Sequence, residues 1–122
     1  MAFRRKGDTD GVRRLLALAI VALLTGCGVP QDPTRQAEEL HSVAAEGALL
    51  AHVASEGSHD AFTTEHAKAL QKVLGQLLPA IDDRRLAGRA AAIDAALAQL
   101  ARDPGDREQA ARVERRLEEL AR

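Results

Sequence analysis

Aromatic side chains are almost missing from this chain, which has no Trp, no Tyr and two Phe, Phe3 and Phe62. Base-stacking platforms and aromatic sugar sites need exposed ring faces, so recognition of nucleic acid or carbohydrate by stacking is not expected. Cysteine is scarce as well: Cys27 stands alone, and no disulfide can form within the chain. No stretch alternates apolar and polar residues with the β-branched or aromatic content that a strand needs, which leaves an all-α fold. Arranged nucleophiles are also lacking. Thr34, Ser42, Ser55, Ser58, Thr63 and Thr64 stand in no GxSxG elbow or SxxK pair, and no Gly-rich phosphate loop follows a strand. The expectation is a protein that is not an enzyme, with no cofactor and no small-molecule substrate.

Long apolar runs are limited to one, Leu15 to Cys27, reading LLALAIVALLTGC. It is too short to span a bilayer comfortably. Arg4, Arg5, Lys6, Arg13 and Arg14 precede it, so a basic n-region and a short apolar h-region lead to a cleavage-like box of small residues. The end of the run, Leu24-Thr25-Gly26-Cys27, resembles the lipobox of bacterial lipoprotein signal peptides. That resemblance implies a diacylglycerol on the Cys27 sulfur, removal of residues 1–26, and Cys27 as the N-terminus of a lipid-anchored protein of the cell envelope facing away from the cytoplasm. Gly28 is not the aspartate that marks inner-membrane retention in that family. Arg13-Arg14 is similar to a twin-arginine export signal, but its flanking residues fit that pattern poorly, and the general secretory route is the expectation.

Cleavage before Cys27 leaves 96 of the 122 residues, one small domain. The segment removed holds five of the 17 Lys and Arg (Arg4, Arg5, Lys6, Arg13, Arg14) and two of the 18 Asp and Glu (Asp8, Asp10). Twelve basic and sixteen acidic residues remain, a net charge of −4 with His neutral. An acidic domain with Phe62 as its single Phe, Tyr or Trp is a poor match for nucleic acid or for anionic lipid headgroups. The expected partners are the membrane, through the lipid on Cys27, and another envelope protein.

Residues 27–34 read as a tether stiffened by Pro30 and Pro33, and residues 35–122 as the domain. Four amphipathic stripes follow one another. Leu40, Val43, Gly47, Leu50 and Ala54 make the first, with Gly57 placed to end its helix in a left-handed conformation. Ser58 or Asp60 can cap a second helix with a wider stripe of Phe62, His66, Ala69, Leu70, Val73, Leu74 and Leu77, ended by Pro79. Asp82 or Asp83 can cap a third, carrying Leu86, Ala90, Ile93, Leu97 and Leu100. Asp103 or Asp106, the latter with Gln109 in a near capping box, can start a fourth with Ala110, Val113, Leu117 and Leu120. On its outer face Glu108 with Arg112 and Glu118 with Arg122 are spaced for ion pairs. Short turns favour antiparallel neighbours, so the predicted architecture is a small up-down four-helix bundle. Leu70, Val73, Leu77, Ile93 and Leu97 are its expected core. The competing arrangement runs the second helix through a kink at Pro79 and needs a partner to cover its stripe.

The four histidines are the remaining constellation. Glu38-x-x-His41 and Glu56-x-x-His59 match the unit that di-iron bundles carry, but the second straddles Gly57, a predicted helix end. His52, His59 and His66 are each seven residues apart, and a hairpin at Gly57 could gather them around one Zn, Cu or Ni ion with Glu56 or Asp60. The plainer expectation is no metal site: His41, His52 and His59 solvated, and His66 at the edge of the core. Arg112, Arg115 and Arg116 among Glu114, Glu118 and Glu119 offer a charged face for another envelope protein.

Overall fold

The computed structural model describes residues 28–57 and 60–122. The expected signal peptide, the lipobox-like Leu24, Thr25 and Gly26, the lipidation site Cys27, and Ser58 and His59 lie outside the described residues. Every regular element among the described residues is helical: α1 (Pro33–Ser55), α2 (Asp60–Leu77), α3 (Arg84–Arg102) and α4 (Arg107–Ala121), with a 3-10 turn, Leu78–Ala80, after α2. Helix α1 packs most extensively on α4 and α2 on α3; α3 also meets α4, α1 meets α2 less closely, and α1 touches α3 across the diagonal. The result is the all-α four-helix bundle that the stripes predict. Helix α2 does not run on through Pro79, because proline lacks the N–H an α-helix interior needs; the chain tightens into the 3-10 turn and leaves helical geometry at Ile81 (φ −88°, ψ 111°).

The caps settle the open alternatives. Asp83, not Asp82, starts α3, its carboxylate accepting from the Arg85 and Leu86 amides at 2.8 and 3.1 Å. Asp106, not Asp103, starts α4 and accepts from the Gln109 amide at 3.0 Å. The reciprocal half of that capping box is not made, and Gln109 Oε1 is buried without a hydrogen-bond partner. Gly57 has φ +90°, the left-handed conformation expected after the last turn of α1. Helix α1 begins two residues earlier than predicted. Asp32 is its N-cap and Pro33 occupies the first turn, where a missing N–H costs nothing. Gln36, one turn in, is buried and donates to the carbonyls of Pro30 at 2.9 Å and Ala80 at 2.8 Å. The supposed tether is therefore fastened to the bundle at Pro30. Three residues of extended chain, about 10 Å, separate Cys27 from that point, in place of the roughly 20 Å of a free seven-residue tether.

The stripe of α1 buries as expected, that of α3 does so with Leu86 half-buried, and α4 buries Ala110, Val113 and Leu117 with Leu120 half-buried. Helix α2 buries one edge of its predicted wide stripe, Leu70, Leu74 and Leu77, and leaves the other edge uncovered. Its buried residues are Thr63, Ala67, Leu70, Leu74 and Leu77, while Phe62, His66, Ala69 and Val73 are exposed. The expected core member Val73 is 37% exposed, and Phe62 is 56% exposed. The cause lies in α1, whose side toward α4 is built from Ala44, Ala48 and Ala51, all buried, so that the two helices approach closely and α2 is left less covered on its α1 side. Eight of the twenty buried hydrophobic residues described are alanine, which makes the core thin and each large side chain in it costly to lose.

Gly47 sits where α1 closely approaches Leu97 of α3 and Leu117 of α4. A Cβ added there would lie 3.0 Å from Leu97 Cδ2 and 3.0 Å from Leu117 Cδ1, the flexible ends of two core side chains. Gly47→Ala gains about 1 kcal/mol of helix propensity and spends a similar amount displacing those methyls, so it is expected within about 1 kcal/mol of wild type. Gly47→Leu cannot be accommodated and is expected to cost about 3 kcal/mol or more. Denaturant unfolding of the two variants followed by circular dichroism gives the comparison.

Candidate functional site

The described histidines, His41, His52 and His66, do not meet as one group. His52 lies in the last turn of α1, where a cation is favoured by the helix C-terminus. Its Nδ1 is 2.7 Å from Glu114 Oε1 on α4, and its Nε2 is 3.2 Å from Glu56 Oε1 four residues on. The Glu114 carboxylate accepts from Nδ1–H, and the Glu56 carboxylate stands within ion-pairing distance of Nε2. The bonded Glu114 carboxylate holds His52 above the ordinary histidine range; its charge and those of Glu56 and Glu118 add to the effect, and desolvation opposes it. His41 lies eleven residues before His52 on α1, and its Nδ1 donates to the backbone carbonyl of Ala121 on α4. His66 leans over Phe62 on the exposed side of α2, ring centroids 5.3 Å apart at 43°. His52 and His66 thus engage different helices, and His59 lies outside the described residues. No group of three or more His, Cys, Asp or Glu among the described residues is placed to hold a metal ion.

The structure brings together His41 and His52 with Glu114 and Glu118. They line an open groove between α1 and α4, floored by Ala45, Ala48 and Leu49 and bounded at one end by Arg122. Sequence reading paired His52 with His59 and His66 instead. The missed signal is the run His41, Ala45, Ala48, His52, which recurs at helical spacing and shares one side of α1 with the alanines that admit α4.

The charged face of α4 is partly spent inside the molecule. Glu114 turns to His52, and the pair that closes is Arg116 with Glu119 at 3.5 Å; the spaced pairs Glu108 with Arg112 and Glu118 with Arg122 do not close among the described residues. All these side chains are long and solvated, so holding either pairing has little value.

The His52 linkage has a definite sign. Its folded pKa is raised above the unfolded value near 6.5, so the stability it contributes is present in full below about pH 6.5 and is lost as pH rises through the folded value. The wild-type melting temperature is expected to fall from about pH 6 to about pH 8.5 by more than that of His52→Gln, and added salt should shrink the difference. A wild-type and a His52→Gln curve of equal slope would show that the α1–α4 clamp contributes nothing.

Exposed apolar side chains are not confined to the groove: beside Leu49 in it, 65% exposed, Phe62 is 56% exposed, Leu78 42%, Val29 38%, and Val53 and Val73 37% each. Among the described residues no helix is long and apolar enough to cross a membrane. No family model, no curated protein and no solved structure matches this chain.

Proposed function

We propose that this protein is a lipid-anchored cell-envelope protein that works by binding and not by catalysis: a small helical bundle held at a membrane through Cys27, facing away from the cytoplasm, and serving as an interaction or structural module. The observation that carries the binding role is the exposed apolar set Leu49, Val53, Phe62 and Val73 on a bundle whose core is otherwise closed. Such residues are costly to leave in water and mark a contact surface. The lipobox-like Leu24-Thr25-Gly26-Cys27 supports the anchor. The Gln36 fastening of Pro30 supports a domain seated directly at the membrane surface, where a partner in the same membrane meets it in two dimensions.

Mass spectrometry of the protein purified from membranes tests the anchor. The expected species is the 96-residue chain starting at Cys27 and carrying thioether-linked diacylglycerol. A chain that retains residues 1–26 with an unmodified Cys27 would end the lipoprotein reading.

A further inference from the structure

The end of the bundle that bears the tether differs from the other. Helices α1 and α3 start there, and α2 closes there into the Leu78–Ala80 turn; the Pro30 and Ala80 carbonyls share the Gln36 amide, which places Val29 beside that turn. Val29 and Leu78 are 38% and 42% exposed, and Pro79 is exposed as well. Neither helix that starts at this end has an acidic residue in its first turn, although a helix N-terminus favours one. They carry Arg35, Arg84 and Arg85 instead, all exposed and none in an ion pair among the described residues. At the far end the arrangement is the ordinary one, with Asp60 opening α2 and Glu108 in the first turn of α4. Cations held unpaired where the helix dipole disfavours them point to an anion outside the chain.

We propose that this end is a lipid-contact face: Val29 and Leu78 enter the boundary between the headgroups and acyl chains of a phospholipid bilayer, and Arg35, Arg84 and Arg85 meet the lipid phosphates. The inference rests on the proposed anchor at Cys27, and the length of chain chooses the occupant. Three residues from Cys27 to the fastened Pro30 reach at most about 10 Å, and the headgroup layer is roughly 5–8 Å deep on each side of the hydrocarbon core. A diacylglycerol seated in the bilayer therefore brings this end within reach of the headgroups at any tilt of the bundle. Phe62, in the first turn of α2, stands about 22 Å further along the helix than Leu77. Acidic groups share the end. The Asp32 and Asp83 carboxylates are turned to the backbone amides of Thr34, Arg85 and Leu86 that they cap, while Glu38 and Asp82 stand exposed. Charges of both signs suit zwitterionic headgroups, which offer phosphate to the arginines and ammonium to the carboxylates, so anionic lipid is not needed. Two small apolar side chains and three arginines are too little to hold the domain at a membrane unaided; they set its tilt once the lipid holds it.

The test uses the full-length protein, expressed and processed in membranes, purified in mild detergent and reconstituted into vesicles of phosphatidylcholine and phosphatidylethanolamine. An environment-sensitive fluorophore is attached to Leu78→Cys and, in a separate preparation, to Phe62→Cys; both positions are exposed, so the label leaves the core alone. Lipids carrying a nitroxide near the top of the acyl chain are expected to quench the probe at position 78 at least about threefold more than the probe at position 62. Adding Arg84→Glu and Arg85→Glu to the Leu78→Cys chain should cut that quenching by about half or more while far-UV circular dichroism holds, because carboxylates at the start of α3 favour the helix. Equal quenching at the two positions on a lipidated chain would overturn the contact and leave the anchor standing. Quenching at position 78 that ignores the charge reversal would overturn the pairing of arginine with phosphate. A chain whose mass shows no diacylglycerol on Cys27 would overturn the anchor and this contact together.

Discussion

Leu97→Ala is expected to destabilise the bundle by about 4 kcal/mol, toward the upper end of the roughly 2–5 kcal/mol range for buried leucine truncation. Leu97 is completely buried, and its Cδ2 methyl fills the space above Gly47 on the diagonal helix. A glycine offers no side chain to relax into the void, so the cavity left by the truncation stays open on that side. The cost depends on how well a site can collapse, and this one collapses poorly. The same geometry predicts a specific rescue: Gly47→Ala places a methyl 3.0 Å from where Leu97 Cδ2 had been, at the edge of the void, and the double variant should recover a measurable part of the loss, giving a coupling of about 0.5 kcal/mol or more. Val73→Ala, at a position 37% exposed, is expected to cost less than about 1 kcal/mol. Urea unfolding of the four proteins checks the set. Equal costs for Leu97→Ala and Val73→Ala would mean that α2 buries the whole of its predicted stripe.

How far the sequence discloses this molecule differs from helix to helix, and the reasons are physical. The stripes of α1 and α3 are set among polar residues, so their buried faces can be read directly. In α2 two candidate stripes run side by side: Phe62, His66, Ala69 and Val73 beside Thr63, Ala67, Leu70, Leu74 and Leu77. They differ by a rotation of one residue, and only the position of α1, drawn toward α4 by its alanines, decides which is covered. Periodicity reports that a helix has an apolar side; it does not report how much of that side its neighbours reach. Gln36 was invisible for a related reason. A glutamine in a first turn reads as solvated until the Pro30 and Ala80 carbonyls, the latter 44 residues away, are found beside it. His52 and Glu114 are 62 residues apart, and their contact follows from the register of α4 on α1, which no local pattern encodes. The turns were the most legible parts, because Gly57, Pro79, Asp83 and Asp106 act through backbone conformation and capping within a few residues of themselves.

The proposed anchor bears on why so small a domain should expose apolar residues at all. In dilute solution an exposed Phe62 is a liability, and a weak contact made through it would be mostly dissociated at low concentration. Confinement to a membrane raises the effective concentration of a partner in the same membrane without any new contact, which lets a modest interface be occupied.

Cys27→Ser is expected to abolish lipid attachment completely, the largest effect of any single substitution in this chain. Under the proposed lipoprotein reading the sulfur is the nucleophile that forms the thioether, and a hydroxyl with an ordinary pKa does not replace a thiolate in that role. The energetic consequence follows from chain length: each buried methylene contributes about 0.8 kcal/mol, a single acyl chain binds a bilayer only marginally, and two chains hold it stably. Losing a diacylglycerol therefore removes the whole anchor at once. An acidic domain of net charge −4, counted from Cys27, has no electrostatic attraction to anionic lipid that could take its place. The variant should accumulate as the full 122-residue precursor, held only by its uncleaved apolar run, or appear unattached in the soluble envelope fraction if another peptidase removes that run. Metabolic labelling with a radioactive fatty acid, together with the mass of the membrane-bound chain, distinguishes these from wild type. Processing to the Cys27-length product with membrane attachment intact in the serine variant would refute the lipoprotein reading.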